Sequence, residues 1–292
     1  MRVAAVDIGT NTVRMLVQDG DETIERDSRI TRLGEGVDAS RELAEEPMRR
    51  TLEVVKEFVG RARDKGAERI RVAGTSAIRD AANRAVFGES VLQATGRPLE
   101  VLSGPEEGRL AYSGATSWLP ESEHVVCDIG GGSTELITER DVVSADVGSV
   151  RVRERYLEGD PPVPSSVETA LAAVKAILVG NAVQERIGPG QLVGVAGTIT
   201  TIAALDAGLK AYDPDIVHGY HLSREGAARW ANDLNRLSAA QIKELGPVNP
   251  GRADVIGAGA LVLDAVMDVL HRESLIVSER DILDGLVADV VR

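Results

Sequence analysis

The sequence predicts an α/β protein made of two similar halves, and three observations carry that prediction. Short apolar runs alternate with longer amphipathic segments along the whole chain, the pattern of strands interleaved with helices. Residues 4–16, AAVDIGTNTVRML, align without a gap on residues 125–137, VVCDIGGGSTELI, which sets Asp7 over Asp128, Ile8 over Ile129 and Gly9 over Gly130. The offset of 121 residues (128 − 7) is too long for a solenoid repeat and has the size of one domain. Finally, 292 residues with 43% apolar composition are enough to build the cores of two medium domains.

Taken in order, residues 2–8 form a near-continuous apolar run ending in Asp7-Ile8-Gly9, the look of a strand buried on both faces. Residues 12–18 read as the returning strand of a hairpin. Met48, Leu52, Val55, Val59 and Ala62 recur at helical spacing with charges between them, which predicts a helix over 48–65. Ile70–Ala73 reads as a strand and 76–95 as a helix. Leu99–Leu102 is a further strand, after which Pro105 stands where prolines open helices. The second half repeats the theme, with strands near 124–129, 134–138 and 141–147 and helices near 166–187 and 252–271. Between them, Gly159-Asp160-Pro161-Pro162-Val163-Pro164 reads as a stiff loop ahead of a helix.

Composition excludes several classes of function. Against 33 basic residues stand 46 acidic ones, a net charge of −13, which disfavours binding nucleic acid through a basic surface. Aromatic residues are 3% of the chain, too few for base-stacking platforms. No segment approaches the roughly 18 uninterrupted apolar residues of a membrane span. Asp7 interrupts the N-terminal apolar run where a signal peptide would continue it. A single cysteine, Cys127, rules out an intramolecular disulfide and suits a reducing compartment. The expectation is a soluble cytoplasmic protein without nucleic-acid or membrane partners. Base rates alone allow a symmetric homodimer.

The duplicated turns carry the chemistry. Turns of Gly and small hydroxyl residues aim several backbone N–H groups at one point, a concavity suited to anions. Gly131 and Gly132 lack a Cβ, so an anion can approach the main chain, while Thr10, Asn11, Thr12 and Ser133 add side-chain donors. Either turn alone is explained as an ordinary hairpin. A matched pair, each preceded by an acidic residue, is better explained by phosphate binding across a cleft. Asp7, Asp128 and Glu135 would repel phosphate unless a cation intervened, which suggests Mg²⁺ or another divalent ion such as Mn²⁺. In the first repeat Arg14 takes the place of Glu135.

Other segments leave two readings open. In Ser103-Gly104-Pro105-Glu106-Glu107-Gly108, adjacent carboxylates in a first helical turn complement the helix dipole, and one of them could also orient a water as general base. Arg79, in GTSAIRDAAN, is either a phosphate fork or a solvated helix residue. Gly197 and Thr198, in GVAGTITT, either hold an anion at a helix N-terminus or form a plain cap. Arg151 and Arg155, four apart after Gly148-Ser149, either line the cleft or form a surface helix face, the second being the safer reading; His218 and His221 read as loop residues and Cys127 as packing. The Gly-Lys-Ser/Thr loop, the Gly-x-Ser-x-Gly elbow and Cys-x-x-Cys are absent from the sequence.

Taken together, DIGTNTVRML, GTSAIRDAAN, LSGPEEGRLAY, DIGGGSTEL, GSVR, VAGTITT and SERDILDGL resemble the exopolyphosphatase and guanosine pentaphosphate phosphatase family over residues 3 to about 287. The resemblance implies two ribonuclease-H-like domains of the actin-like ATPase superfamily flanking a central cleft, over about residues 1–120 and 121–280, with a final helix at 280–292 returning to the first. It implies Glu107 as the catalytic glutamate acting on water, and Asp128 and Glu135 as holders of the divalent cation. Asp7, Gly9, Thr10, Asn11, Thr12 and Arg14 match one phosphate-binding segment, Gly130, Gly131, Gly132 and Ser133 the other, and Arg79 an arginine that grips the phosphate chain. Gly197 and Thr198 complete the phosphate-binding set. Thr10 and Thr12 replace serines usual in the family and keep the hydroxyl. The appended helical domains of long family members are missing, which speaks for short chains as substrates. The implied activity is hydrolysis of the terminal phosphoanhydride of inorganic polyphosphate. The alternatives are the 5′-phosphohydrolase reaction on guanosine pentaphosphate, a kinase or ATPase of the superfamily, and an alarmone-binding regulator.

Overall fold

The computed structural model describes residues 1–291, and the chain divides into two compact units. The first holds Met1–Gly114 together with the chain from Ile282 onward, and the second holds Ala115–Asp281. Arg292, part of the expected terminal helix, lies outside the described residues.

The first unit is built on five strands: β1 (Arg2–Ile8), β2 (Thr12–Asp19), β3 (Glu22–Ile30), β4 (Arg69–Gly74) and β5 (Leu99–Val101), in the order β3-β2-β1-β4-β5. The first three pair antiparallel, and β4 and β5 run parallel to β1. Strand alternation sends Ala4, Val6 and Ile8 to one face, where they join Val55, Phe58 and Val59 of the helix Glu45–Asp64 in one core. Asp7 therefore belongs to the opposite face. The terminal helix Ile282–Val291 lies against β1, β2 and β4, tied to the sheet by the Arg26–Asp284 and Arg71–Asp289 ion pairs.

Two expectations need correction here. The helix expected over 76–95 is two helices, Ser76–Asp80 and Arg84–Thr95. Ala81 takes an extended backbone between them, and the Asn83 amide holds both the N–H and the C=O of Leu43, at 2.9 Å each. Strand β3 was not foreseen at all. Its sequence, ETIERDSRI, is charged because it is an edge strand whose Glu25 and Asp27 pair with Arg61.

The second unit contains β6 (His124–Ile129), β7 (Thr134–Ile137), β8 (Val142–Ala145), β9 (Gln191–Val195), β10 (His221–Ser223) and β11 (Ser274–Val277). Their order is β10-β11-β9-β6-β7-β8. Set β10 aside and the order is that of the first unit, two copies of the ribonuclease-H-like arrangement. The helix Ile256–Val269 is apolar nearly all round because it runs through the middle of this core.

The helix expected over 166–187 is also two, Pro164–Gly180 and Val183–Ile187, separated by Ala182 in the left-handed region at φ 52°. His221 lies in β10 rather than in a loop, paired opposite Ile276. Among the described residues no helix is long and apolar enough to cross a membrane.

Candidate functional site

The sequence repeat is a structural repeat down to the register. In the first unit Asp7 lies opposite Arg14 and Ile8 opposite Val13. In the second, Asp128 lies opposite Glu135 and Ile129 opposite Thr134, the same pairs displaced by 121. Each turn is closed by the same hydrogen bond, Gly9 N to Thr12 O and Gly130 N to Ser133 O, both 3.0 Å.

A segment that follows the hairpin props each turn from outside. Thr31 N and Arg32 N donate to Asn11 O, and Gly34 N to Thr10 O. In the second unit Ser149 N donates to Gly130 O, and Val150 N and Arg151 N to Gly131 O. With the turn carbonyls fixed to these props, the peptide N–H groups point the other way. Among the described residues the N–H groups of Thr10, Asn11, Gly131 and Gly132 have no backbone partner, which is the condition for an anion-binding concavity. The close contact of prop and turn explains two glycines. A Cβ on Gly34 would lie 2.3 Å from Thr10 Cγ2, and one on Gly148 would lie 2.5 Å from the carbonyl of Gly131.

The side chains differ between the two copies. Asp7 is 1% exposed, and its Oδ2 accepts from Arg14 Nη2 at 2.6 Å and Nε at 3.1 Å. The Thr10 hydroxyl bonds Ser76 Oγ at 2.9 Å, linking the turn to the helix after β4. Asp128 and Glu135 are half-buried neighbours across β6 and β7, so that where the first unit matches carboxylate with guanidinium, the second sets carboxylate beside carboxylate. That donor set fits Mg²⁺, which takes oxygen ligands and characteristically uses one or two carboxylates, with waters and phosphate completing the shell. On the other face of β6, Cys127 is fully buried, and burial together with the Asp128 and Glu135 charges pushes its thiol well above the usual range.

Glu107 stands in the first turn of the helix Gly104–Thr116, where its N–H bonds Ser103 O at 2.9 Å. Its Oε2 accepts from Arg79 Nη1 at 2.8 Å, and the same nitrogen donates to Leu102 O at 3.0 Å. Arg79 thus fixes Glu107 to the end of β5, a position that the sequence left open between phosphate fork and surface residue. Both side chains keep about a third of their surface in contact with solvent, at 31% and 29%. Thr198 is buried, with its hydroxyl donating to Ile129 O at 3.3 Å, and Thr75 approaches Ile8 O in the same way in the first unit.

Two arginines lie against these glycine-rich segments. For Arg151, which the sequence leaves between lining a cleft and a surface helix face, the side chain is only 16% exposed. It pairs with Asp146 at 2.9 Å, and its Nη2 lies 3.6 Å from where a Cβ on Gly132 would be. Arg252 lays its guanidinium on Gly197, 1.4 Å from the position of a Cβ there, so only glycine leaves it room. The signal available in the sequence was Gly197 itself. Arg155 is exposed, as expected.

Comparison with known proteins agrees with this geometry. Residues 15–292 match the sequence profile of the Ppx/GppA phosphatase family. The chain is 40% identical over 315 aligned positions to exopolyphosphatase 2 of Mycobacterium tuberculosis, covering 98% of this chain and 97% of that one. It is 29% identical to the guanosine-5′-triphosphate,3′-diphosphate pyrophosphatase of Vibrio vulnificus, covering 99% of this chain but 59% of that protein. A crystal structure of the Aquifex aeolicus Ppx/GppA family member superposes with a TM-score of 0.85 at 34% identity, covering 100% and 98% of the two chains.

Proposed function

Because the chain belongs to the Ppx/GppA phosphatase family, we propose that it is an exopolyphosphatase, a hydrolase that releases orthophosphate from the end of inorganic polyphosphate. The observation that carries this reading is the pair of identically registered turns, each with its carbonyls tied down and its N–H groups turned outward. Substrate phosphate is bound by the N–H groups of Thr10 and Asn11 in the first unit and by those of Gly131 and Gly132 in the second. The hydroxyls of Thr12 and Ser133 add donors, and Gly9, Gly130, Gly197 and Arg14 shape the surroundings.

Phosphoryl transfer asks mainly for positioning and neutralisation of charge. Glu107, held by Arg79, orients a water in line with the terminal phosphorus and accepts its proton as the new P–O bond forms and the bridging P–O bond breaks. Asp128 and Glu135 are the residues that would hold a divalent cation, Mg²⁺ in the simplest case, which would neutralise phosphate charge when bound.

Polyphosphate is favoured over guanosine pentaphosphate by one observation. The chain is 40% identical to the mycobacterial exopolyphosphatase and 29% identical to the Vibrio pyrophosphatase. Orthophosphate release from tripolyphosphate and from guanosine pentaphosphate, measured side by side, tests the choice. A higher kcat/KM on the nucleotide would reverse it. We further place the enzyme in the cytoplasm, on its single buried cysteine, and expect short chains to be its best substrates. A homodimer rests on base rates alone, and light scattering tests it.

A further inference from the structure

We propose that Ser144 is a positioning residue for the divalent cation, acting by fixing the carboxylate of Glu135. This inference rests on the cation reading given above. Ser144 lies in β8 directly opposite Glu135 of β7, and Glu135 lies directly opposite Asp128 of β6. Residues opposite one another in a sheet share a face at steps of about 5 Å, so hydroxyl, carboxylate and carboxylate stand in one row. Within that row the Ser144 hydroxyl donates to Glu135 Oε1 at 2.8 Å.

The first unit shows what the row does when it carries its own cation. Its corresponding residues are Ser28, Arg14 and Asp7, again opposite one another on β3, β2 and β1. There the middle position is a guanidinium bonded to Asp7. In the second unit the middle position is an anion, and the serine is hydrogen bonded to it. A hydroxyl orients a carboxylate without neutralising it, and this one holds the side-chain rotamer of Glu135 in the row beside Asp128. Partners that orient metal-holding carboxylates in this way typically contribute tenfold or more in metal affinity.

Ser144 is exposed, so losing its hydroxyl strands no buried group, and the variant is expected to fold as the parent does. The test is Mn²⁺ binding followed by electron paramagnetic resonance, with and without inorganic phosphate, on the parent protein, Ser144→Ala, Ser144→Thr and Glu135→Gln. We expect Ser144→Ala to weaken Mn²⁺ binding about tenfold at unchanged Tm, Ser144→Thr to restore it to within about twofold, and Glu135→Gln to weaken it at least as much as the alanine variant. Parental affinity in Ser144→Ala alongside loss in Glu135→Gln overturns the role of Ser144 and leaves the cation reading in place. Parental affinity in Glu135→Gln overturns the cation reading, and the inference with it. Loss in Ser144→Thr equal to that in the alanine variant also overturns the hydroxyl's role.

Discussion

Replacing Gly148 with alanine should disable the second turn from behind, by pressing on the carbonyl side of the peptides whose N–H groups are assigned to phosphate. Gly148 has φ −144° and ψ 168°, an extended backbone that any residue adopts, so the effect is purely one of space. The added Cβ would sit 2.5 Å from both C and O of Gly131 and 2.7 Å from C of Gly132. Carbon atoms rest at about 3.5–4.0 Å, so the prop and the turn must separate by roughly 1 Å. Overpacking of this kind costs about 1–3 kcal/mol, and main-chain neighbours put it at the upper end. For a unit of this size, about 3 kcal/mol lowers Tm by roughly 6–12 °C. A misplacement of about 1 Å in binding groups costs on the order of 10²-fold in rate. The assay is orthophosphate release from tripolyphosphate together with a thermal melt. Gly60→Ala serves as the control, since nothing lies within 4 Å of the added Cβ and its helical position favours alanine by about 1 kcal/mol. A Gly148→Ala enzyme within twofold of parental activity and with parental Tm would refute the reasoning that the prop sets the turn.

Three further outcomes follow from named contacts. Glu107→Gln keeps an acceptor for Arg79 but loses the base, so turnover should fall by about 10²-fold or more while tripolyphosphate binding by calorimetry stays within a few-fold. Burial holds the Asp264 carboxyl above its ordinary value of 3.8, with Asp268 adding to the effect and Lys175 and Arg224 opposing it. A raised carboxyl pKa in the folded state means that ionisation costs stability, so Asp264→Asn should raise Tm at pH 7. The gain should fade as pH falls from the raised folded-state pKa toward the ordinary value of 3.8 and be essentially gone below it, and melts at pH 7 and pH 3.5 measure both. Cys127 is fully buried, so a thiol reagent should label the native protein far more slowly than the denatured protein, in which one equivalent should react at once.

Much of the fold was legible because the chain announces its duplication at the chemically demanding points. Asp7-Ile8-Gly9 and Asp128-Ile129-Gly130 recur where each copy ends a buried strand and closes a tight turn through the same hydrogen bond. That combination of demands admits few residues. Strand β3 was illegible for the opposite reason: as an edge strand it satisfies Glu25 and Asp27 with Arg61 of a helix distant in sequence, so its pattern reads as solvated. The helix break at Ala81 carries no proline or glycine, whereas the one at Ala182 directly follows Gly180-Asn181, a stop signal that the sequence does offer. At the first, the Asn83 amide grips Leu43, a tertiary contact that local pattern leaves unmarked. The sequence leaves Arg151 between two readings and does not mark Arg252 at all, because what singles them out is their approach to Gly132 and Gly197, and neither distance is encoded in spacing along the chain. Glu107 and Arg79 were each legible as candidates. Only the structure joins them, at 2.8 Å.

The central claim is that water attacks the terminal phosphorus of a polyphosphate under the joint control of a divalent cation and Glu107. The most direct measurement is hydrolysis of tripolyphosphate in water enriched in heavy oxygen, with Mg²⁺ supplied or chelated, followed by mass analysis of the orthophosphate. The account predicts one labelled oxygen in each orthophosphate released, formed with Mg²⁺ present and nearly abolished by chelation. Unlabelled orthophosphate, or release that proceeds equally with the cation removed, would contradict it.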